Sequence, residues 1–110
     1  MKVINLSTNT TLADNVSVAR SFIENTIGLL KESTPTSLML TTRFGIHTAG
    51  MRFAIDCVVV DSQNIIRAMR KDIRPNDFFF WNPRYSKVIE FPAGTLAKTH
   101  TELGHVLAFE

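Results

Sequence analysis

The residues of this 110-residue chain with the types and spacing to do chemistry lie in two short segments. Ile46-His47-Thr48-Ala49-Gly50-Met51-Arg52-Phe53-Ala54-Ile55-Asp56 gathers a histidine, an arginine and an aspartate, and Glu90-Phe91-Pro92-Ala93-Gly94 sets a carboxylate before a turn. Asp56 stands inside an apolar run, where an ionised carboxylate is costly unless it is hydrogen-bonded or paired. It therefore either accepts backbone N–H groups from a neighbouring loop or serves as a binding carboxylate or general base with a perturbed pKa. His47 beside Asp56 or Glu90 would make an oriented acid–base pair; its plainer reading is a loop histidine bonded to backbone. Arg52 falls between apolar neighbours, and its guanidinium fork suits an ion pair with Glu90 or an anionic ligand. His47, Asp56 and His105 are metal-ligand types without a ligand spacing, so no metal and no cofactor is expected. Cys57, next to Asp56 on a strand, points to the opposite face and reads as a buried, inert thiol.

A second constellation is basic and aromatic. Arg67, Arg70, Lys71 and Arg74 surround Asp72, and Phe78-Phe79-Phe80-Trp81 follow. Basic residues beside aromatics suit single-stranded nucleic acid; the alternative is the solvated face of a hairpin with the aromatics plugging the core. A formal net charge of +2, from 12 Lys and Arg against 10 Asp and Glu, is too mild to argue for nucleic acid or an anionic membrane. Side chains alternate along a strand, so four successive large aromatics cannot all face inward. At least one of Phe78 to Trp81 is expected at the surface, which makes this segment a candidate for partner or ligand contact. No nucleophile elbow, phosphate loop or dinucleotide fingerprint is present.

The scaffold that must position these residues is expected to be one domain spanning 1–110, since the length suits one core and not two. A single cysteine excludes an internal disulfide framework and a multi-cysteine zinc site. No apolar stretch approaches membrane-spanning length, and no signal-peptide pattern opens the chain; with the free cysteine, this favours a cytoplasmic setting. Lys2 to Leu6 reads as a first, edge-like strand, and Ser7 to Leu12 as a polar turn. From an N-cap at Asp14 or Asn15, the spacing of Val16, Ala19, Ile23, Ile27 and Leu30 predicts an amphipathic helix that ends near Gly28. After Pro35 the reading is mainly β: Leu38 to Thr42, Met51 to Val60, Ile65 to Met69, Ser86 to Phe91 and Val106 to Phe109. Turns fall at Asp61 to Asn64, Pro75 to Asp77 and Pro92 to Gly94, and a short helical or irregular piece at Thr95 to Glu102. The predicted class is α+β, a mostly β domain with a small barrel-like or strongly curved antiparallel or mixed sheet and one N-terminal helix packed against it.

The two chemistry-bearing segments resemble the two signatures of the family called domain of unknown function 192, an IHT-x-GM-x-F-x-ID stretch and an acidic residue just before a Pro-Ala-Gly turn. Gly28-Leu29 and Pro75 resemble further family positions. The chain departs from the pattern at Asn25, Ala54 and Gly104-His105, the last lacking a carboxylate near the final strand. The resemblance implies a compact, mostly β domain and no established activity. The functional expectation is a module binding a small ligand or a protein, with His47, Arg52, Asp56, Glu90 and Trp81 as candidate contact residues. The alternatives are a small hydrolase-like or acid–base enzyme using His47 with Asp56 or Glu90, and single-stranded nucleic-acid binding through Arg67 to Arg74 with Phe78 to Trp81.

Overall fold

The computed structural model describes residues 1–19 and 36–110. Among the described residues, ten strands form three sheets. β1 (Val3–Asn5), β2 (Thr10–Ala13) and β10 (Leu107–Phe109) make an antiparallel sheet in the order β10-β1-β2. β3 (Val16–Val18), β4 (Ser37–Thr41), β6 (Ile55–Val60), β7 (Ile66–Ile73) and β9 (Lys87–Pro92) make the central sheet, in the order β3-β4-β9-β6-β7. Only β3 and β4 run parallel in it. β5 (Gly45–His47) and β8 (Phe78–Phe80) pair as a small antiparallel ribbon. One short helix, α1 (Thr95–Lys98), follows β9.

The expected α+β class is corrected in two respects. Val16 to Val18, placed in the predicted helix, is strand β3 beside β4; the rest of that stretch through Leu30 lies outside the described residues. The β-branched valines at alternate positions suit a pleated ladder as well as one face of a helix, and pairing with Ser37 to Met39 decides between them. The central sheet is also open among the described residues, with β3 and β7 at its edges, and does not close into a barrel. Two smaller expectations change as well. β1 is the middle strand of its sheet, not an edge, and Thr10 to Leu12, read as turn, belong to β2.

The core follows from β6. Every residue from Ile55 to Val60 is buried, as a strand covered on both faces requires. One face, with Val58, Val60, Ile89 and Phe91, packs against Val3, Leu12, Leu107 and the helix residue Leu96. The other, with Ile55, Cys57, Val59 and Val88, packs against Leu40, Ile46, Met51 and Trp81. The molecule is thus three layers, the central sheet between the three-stranded sheet and the β5–β8 ribbon.

Close approach inside the ribbon requires a glycine. A Cβ on Gly45 would lie 2.5 Å from the Phe79 carbonyl oxygen and 2.6 Å from the Phe80 ring. The backbone oxygen cannot yield without breaking the pairing. Gly45→Ala is therefore expected to lower the unfolding free energy by about 1–3 kcal/mol, the usual cost of overpacking. Urea denaturation measures it, and an unchanged midpoint would show that β5 and β8 separate freely.

Candidate functional site

Asp56 is 1% exposed, and its carboxylate is fully engaged by backbone. Oδ1 accepts the Asp72 N–H at 2.8 Å; Oδ2 accepts the N–H groups of Gly94 at 3.1 Å and Leu96 at 2.9 Å. The first of these lies at a bulge in β7, where the register with β6 passes from Ile55 opposite Ile73 to Cys57 opposite Arg70 and Asp72 takes a left-handed φ of 53°. The other two lie in the turn that leads into α1, where Gly94 has φ 95°. The carboxylate thus clamps the two strands flanking β6, and its loop-tying role is the one the geometry favours over general-base work.

Asp56 and Glu90 are not brought together. Asp56 stands opposite Phe91 and Cys57 opposite Glu90, so the two carboxylates leave opposite faces of the sheet. Glu90 is 3% exposed on the Cys57 face. His47 is half-buried on the ribbon, opposite Phe78, with the two rings 6.5 Å apart. With Oδ1 turned to the Asp72 N–H of β7 and Oδ2 to the Gly94 and Leu96 N–H groups before and in α1, the His47–Asp56 dyad is not built. Arg52 is exposed and joins no ion pair among the described residues, so its expected pairing with Glu90 is not formed. His105 belongs to a separate structural network: its Nδ1 lies 3.1 Å from the Asn5 amide nitrogen, which also donates to the Thr101 hydroxyl. Cys57 is fully buried. Burial first, then the nearby carboxylates of Glu90 and Asp56, pushes its thiol well above the ordinary range, which suits packing and not attack.

Thr48, which sequence reasoning passed over, organises the loop after His47. It is fully buried; its hydroxyl donates to the Arg74 carbonyl at 2.6 Å and accepts the Asp77 N–H at 2.9 Å. Backbone bonds link Thr48 to Asp77 and Asn76 as well. This crosslink lays β8 beside β5, uniting the two segments that the sequence marks as contact candidates.

The aromatics alternate as strand geometry demands. Trp81 is buried, donates its ring N–H to the Tyr85 carbonyl at 2.8 Å and packs on Phe79. Phe78 and Phe80 face solvent at 56% and 69% exposure, their rings stacked 5.7 Å apart at 8°. Phe44, before Gly45, is 66% exposed. The surface predicted for this segment therefore resides in Phe78 and Phe80, extended by Phe44, and not in Trp81. Three of the four basic residues stand in ion pairs: Arg67 with Asp61 at 2.8 Å, Arg70 with Asp77 at 2.7 Å and Arg74 with Asp72 at 3.7 Å.

A concave feature lies at the opposite end of β7, unmarked by any motif. A cleft of about 610 Å³ is lined by the Asp61–Asn64 turn, Arg67, and the Arg84–Lys87 segment. Arg84 and Lys87 flank Tyr85, and that local spacing was its only signal in the sequence.

Two measurements check these assignments. Asp56→Asn sets an amide N–H against at least one backbone donor and is expected to cost about 2–4 kcal/mol, since bonds to a charged acceptor contribute roughly 1.5–3 kcal/mol each; chemical denaturation reads it, and parental stability would refute the clamp. Cys57 should react with an aromatic disulfide reagent only at the rate of unfolding; free-thiol kinetics in the native protein would show an accessible, activated sulfur.

Two crystal structures share this architecture. One, from Sinorhizobium meliloti 1021 and described provisionally as a transcription regulator, has a TM-score of 0.81 and 17% identity over 97% of this chain and 89% of that one. The other, a protein of unknown function from Novosphingobium aromaticivorans DSM 12444, has a TM-score of 0.79 and 13% identity over 98% of this chain and 82% of that one. Both are likenesses of fold. The comparison with curated proteins found no match. The family model for domain of unknown function 192, described as "Uncharacterized ACR", matches residues 3–109, and the chain belongs to that family.

Proposed function

We propose that this protein is a non-catalytic binding module that takes another protein on the aromatic platform of the β5–β8 ribbon. The observation that carries this reading is the pair of solvent-facing, stacked rings of Phe78 and Phe80, continued by Phe44. Three large exposed aromatics on adjoining segments mark a contact surface more than scattered apolar residues do. Their placement is held from beneath. Gly45 lets the Phe80 ring lie close to the backbone. The Arg70 guanidinium donates to the Phe78 carbonyl at 2.6 Å, and Arg43 to the Pro83 carbonyl at 2.7 Å. A platform that is already ordered loses little side-chain entropy on binding.

A protein fits this surface better than the other occupants. Small molecules bury most of their area in concave sites, and these rings stand proud of the ribbon. Single-stranded nucleic acid needs uncompensated cations beside the stacking rings, and Arg70, which bonds the Phe78 carbonyl, is paired with Asp77. Covering one exposed phenyl ring contributes roughly 1.5–3 kcal/mol, so two or three suffice to anchor an interface.

The test is site-specific photo-crosslinking in cells. A photoreactive phenylalanine at position 78 should give one defined protein adduct, absent when the probe replaces Lys98 on α1. Phe80→Ser should diminish that adduct while leaving the thermal midpoint close to parental, since the ring is exposed. Equal adducts from both positions, nucleic-acid adducts, or none at all would overturn the assignment.

A further inference from the structure

Independently of the aromatic platform, we propose that the cleft between the β6–β7 turn and the start of β9 binds a small molecule carrying a phosphate monoester. Three cationic side chains from three parts of the chain line it: Arg67 of β7, Arg84 of the loop after β8, and Lys87 of β9. Asp61 is the one carboxylate in its wall among the described residues, which leaves an excess of two positive charges among them there. That excess matches the charge of about −1.5 to −2 on a phosphate monoester at neutral pH. The volume, about 610 Å³, lies within the ordinary range for small-molecule sites.

The cations are positioned without being consumed. Asp61 accepts the Gln63 and Ile65 N–H groups through Oδ1, which shapes the turn, and holds the Arg67 Nε through Oδ2 at 2.8 Å. This geometry presents the guanidinium while leaving its two terminal nitrogens without a partner among the described residues. Arg67 and those N–H groups hold the Asp61 carboxyl below the usual aspartate range, so it stays ionised in its role. Lys87 is steered by the Asn64 side-chain oxygen at 3.0 Å and lies 3.9 Å from the centre of the Phe109 ring. No carboxylate lies within ion-pair distance of it among the described residues. Partial burial pushes its pKa down, and an anion in the cleft would reverse that penalty. The Arg84 guanidinium makes no hydrogen bond or ion pair among the described residues and stands 6.0 Å from the Tyr85 ring centre. Arginine forks and an ammonium lining one concave wall are the recognition chemistry of phosphate oxygens. Ser62 and Ser86 line the same wall and add hydroxyl donors.

Calorimetric titration of the full chain with phenyl phosphate at constant ionic strength tests the proposal, with benzoate, inorganic phosphate and a short single-stranded oligonucleotide as comparison probes. Saturable one-to-one binding of phenyl phosphate, tighter than benzoate, is expected. Arg84→Ala, a change at an exposed side chain, should weaken it roughly tenfold or more, the loss of a charge-assisted bond. Lys87→Met should do likewise, while Arg74→Ala, outside the cleft, should have no effect. Phe78→Ser with Phe80→Ser should bind phenyl phosphate as the parent does, which separates this site from the platform. Three results would overturn the proposal: no saturable binding, equal affinity in the parent and Arg84→Ala, or oligonucleotide binding that outcompetes phenyl phosphate with the same dependence on Arg84.

Discussion

A buried carboxylate sets the geometry on which the rest of this fold depends. Asp56 occupies a strand that is covered on both faces, where an unpaired charge is prohibitive. Its three backbone N–H donors come from a bulge in β7 on one side and the turn after β9 on the other. Each donor belongs to a backbone stretch that the regular ladder leaves unsatisfied. The charge and the irregular backbone therefore solve one another's problem: the Asp56 carboxylate gains three donors, and the N–H groups at the Asp72 bulge and the Gly94 turn gain an acceptor that the strand ladder does not supply. This also accounts physically for the two signature segments occurring in one chain. The aspartate that ends the first segment bonds the glycine that ends the second.

That clamp separates structural from available chemistry. Asp56 and His105, two of the residues with catalytic side-chain types, are engaged in the fold. Asp56 bonds backbone, Glu90 leaves the opposite face of the sheet beside Cys57, and His105 serves the Asn5 network. Among the described residues, two exposed features stand out, the stacked phenyl rings of the β5–β8 ribbon and the cationic cleft beside the β6–β7 turn. Both depend on hydrogen bonds that hold loops rigid, through Thr48 in the first case and Asp61 in the second.

The strands at Leu38 to Thr41, Ile55 to Val60, Lys87 to Phe91 and Leu107 to Phe109 were legible because their alternation and turn residues agree with the final pairing, whereas Gly45 to His47, which read as loop, is strand β5. Asp61 to Asn64, Pro75 to Asp77 and Pro92 to Gly94 each supply the side-chain acceptor, fixed φ or left-handed residue that a reversal needs. The burial of Cys57 opposite to Asp56, and the exposure of some of the Phe78 to Trp81 aromatics, followed from strand periodicity alone. Which aromatics those are did not follow, because the phase of a short strand is set by its partner: pairing Ile46 with Phe79 turns Phe79 inward and leaves Phe78 and Phe80 outside. Val16 to Val18 was misread for a related reason. Three- and four-residue spacing fits a helix face, while a three-residue strand carries too few positions to announce its own period.

Sequence alone determined local quantities: the strand periods, the turn positions, the charge balance, the single inert thiol and the two signature segments. Each is a property of neighbouring residues and the steric rules of the backbone. Only the tertiary structure decided which distant groups meet. It brought Asp56 to Gly94 and Leu96, turned Glu90 away from it, and joined Arg67, Arg84 and Lys87 around one cleft. Those encounters are set by strand order and register. These in turn minimise buried, unsatisfied polar groups over the whole chain, a balance that no single segment contains.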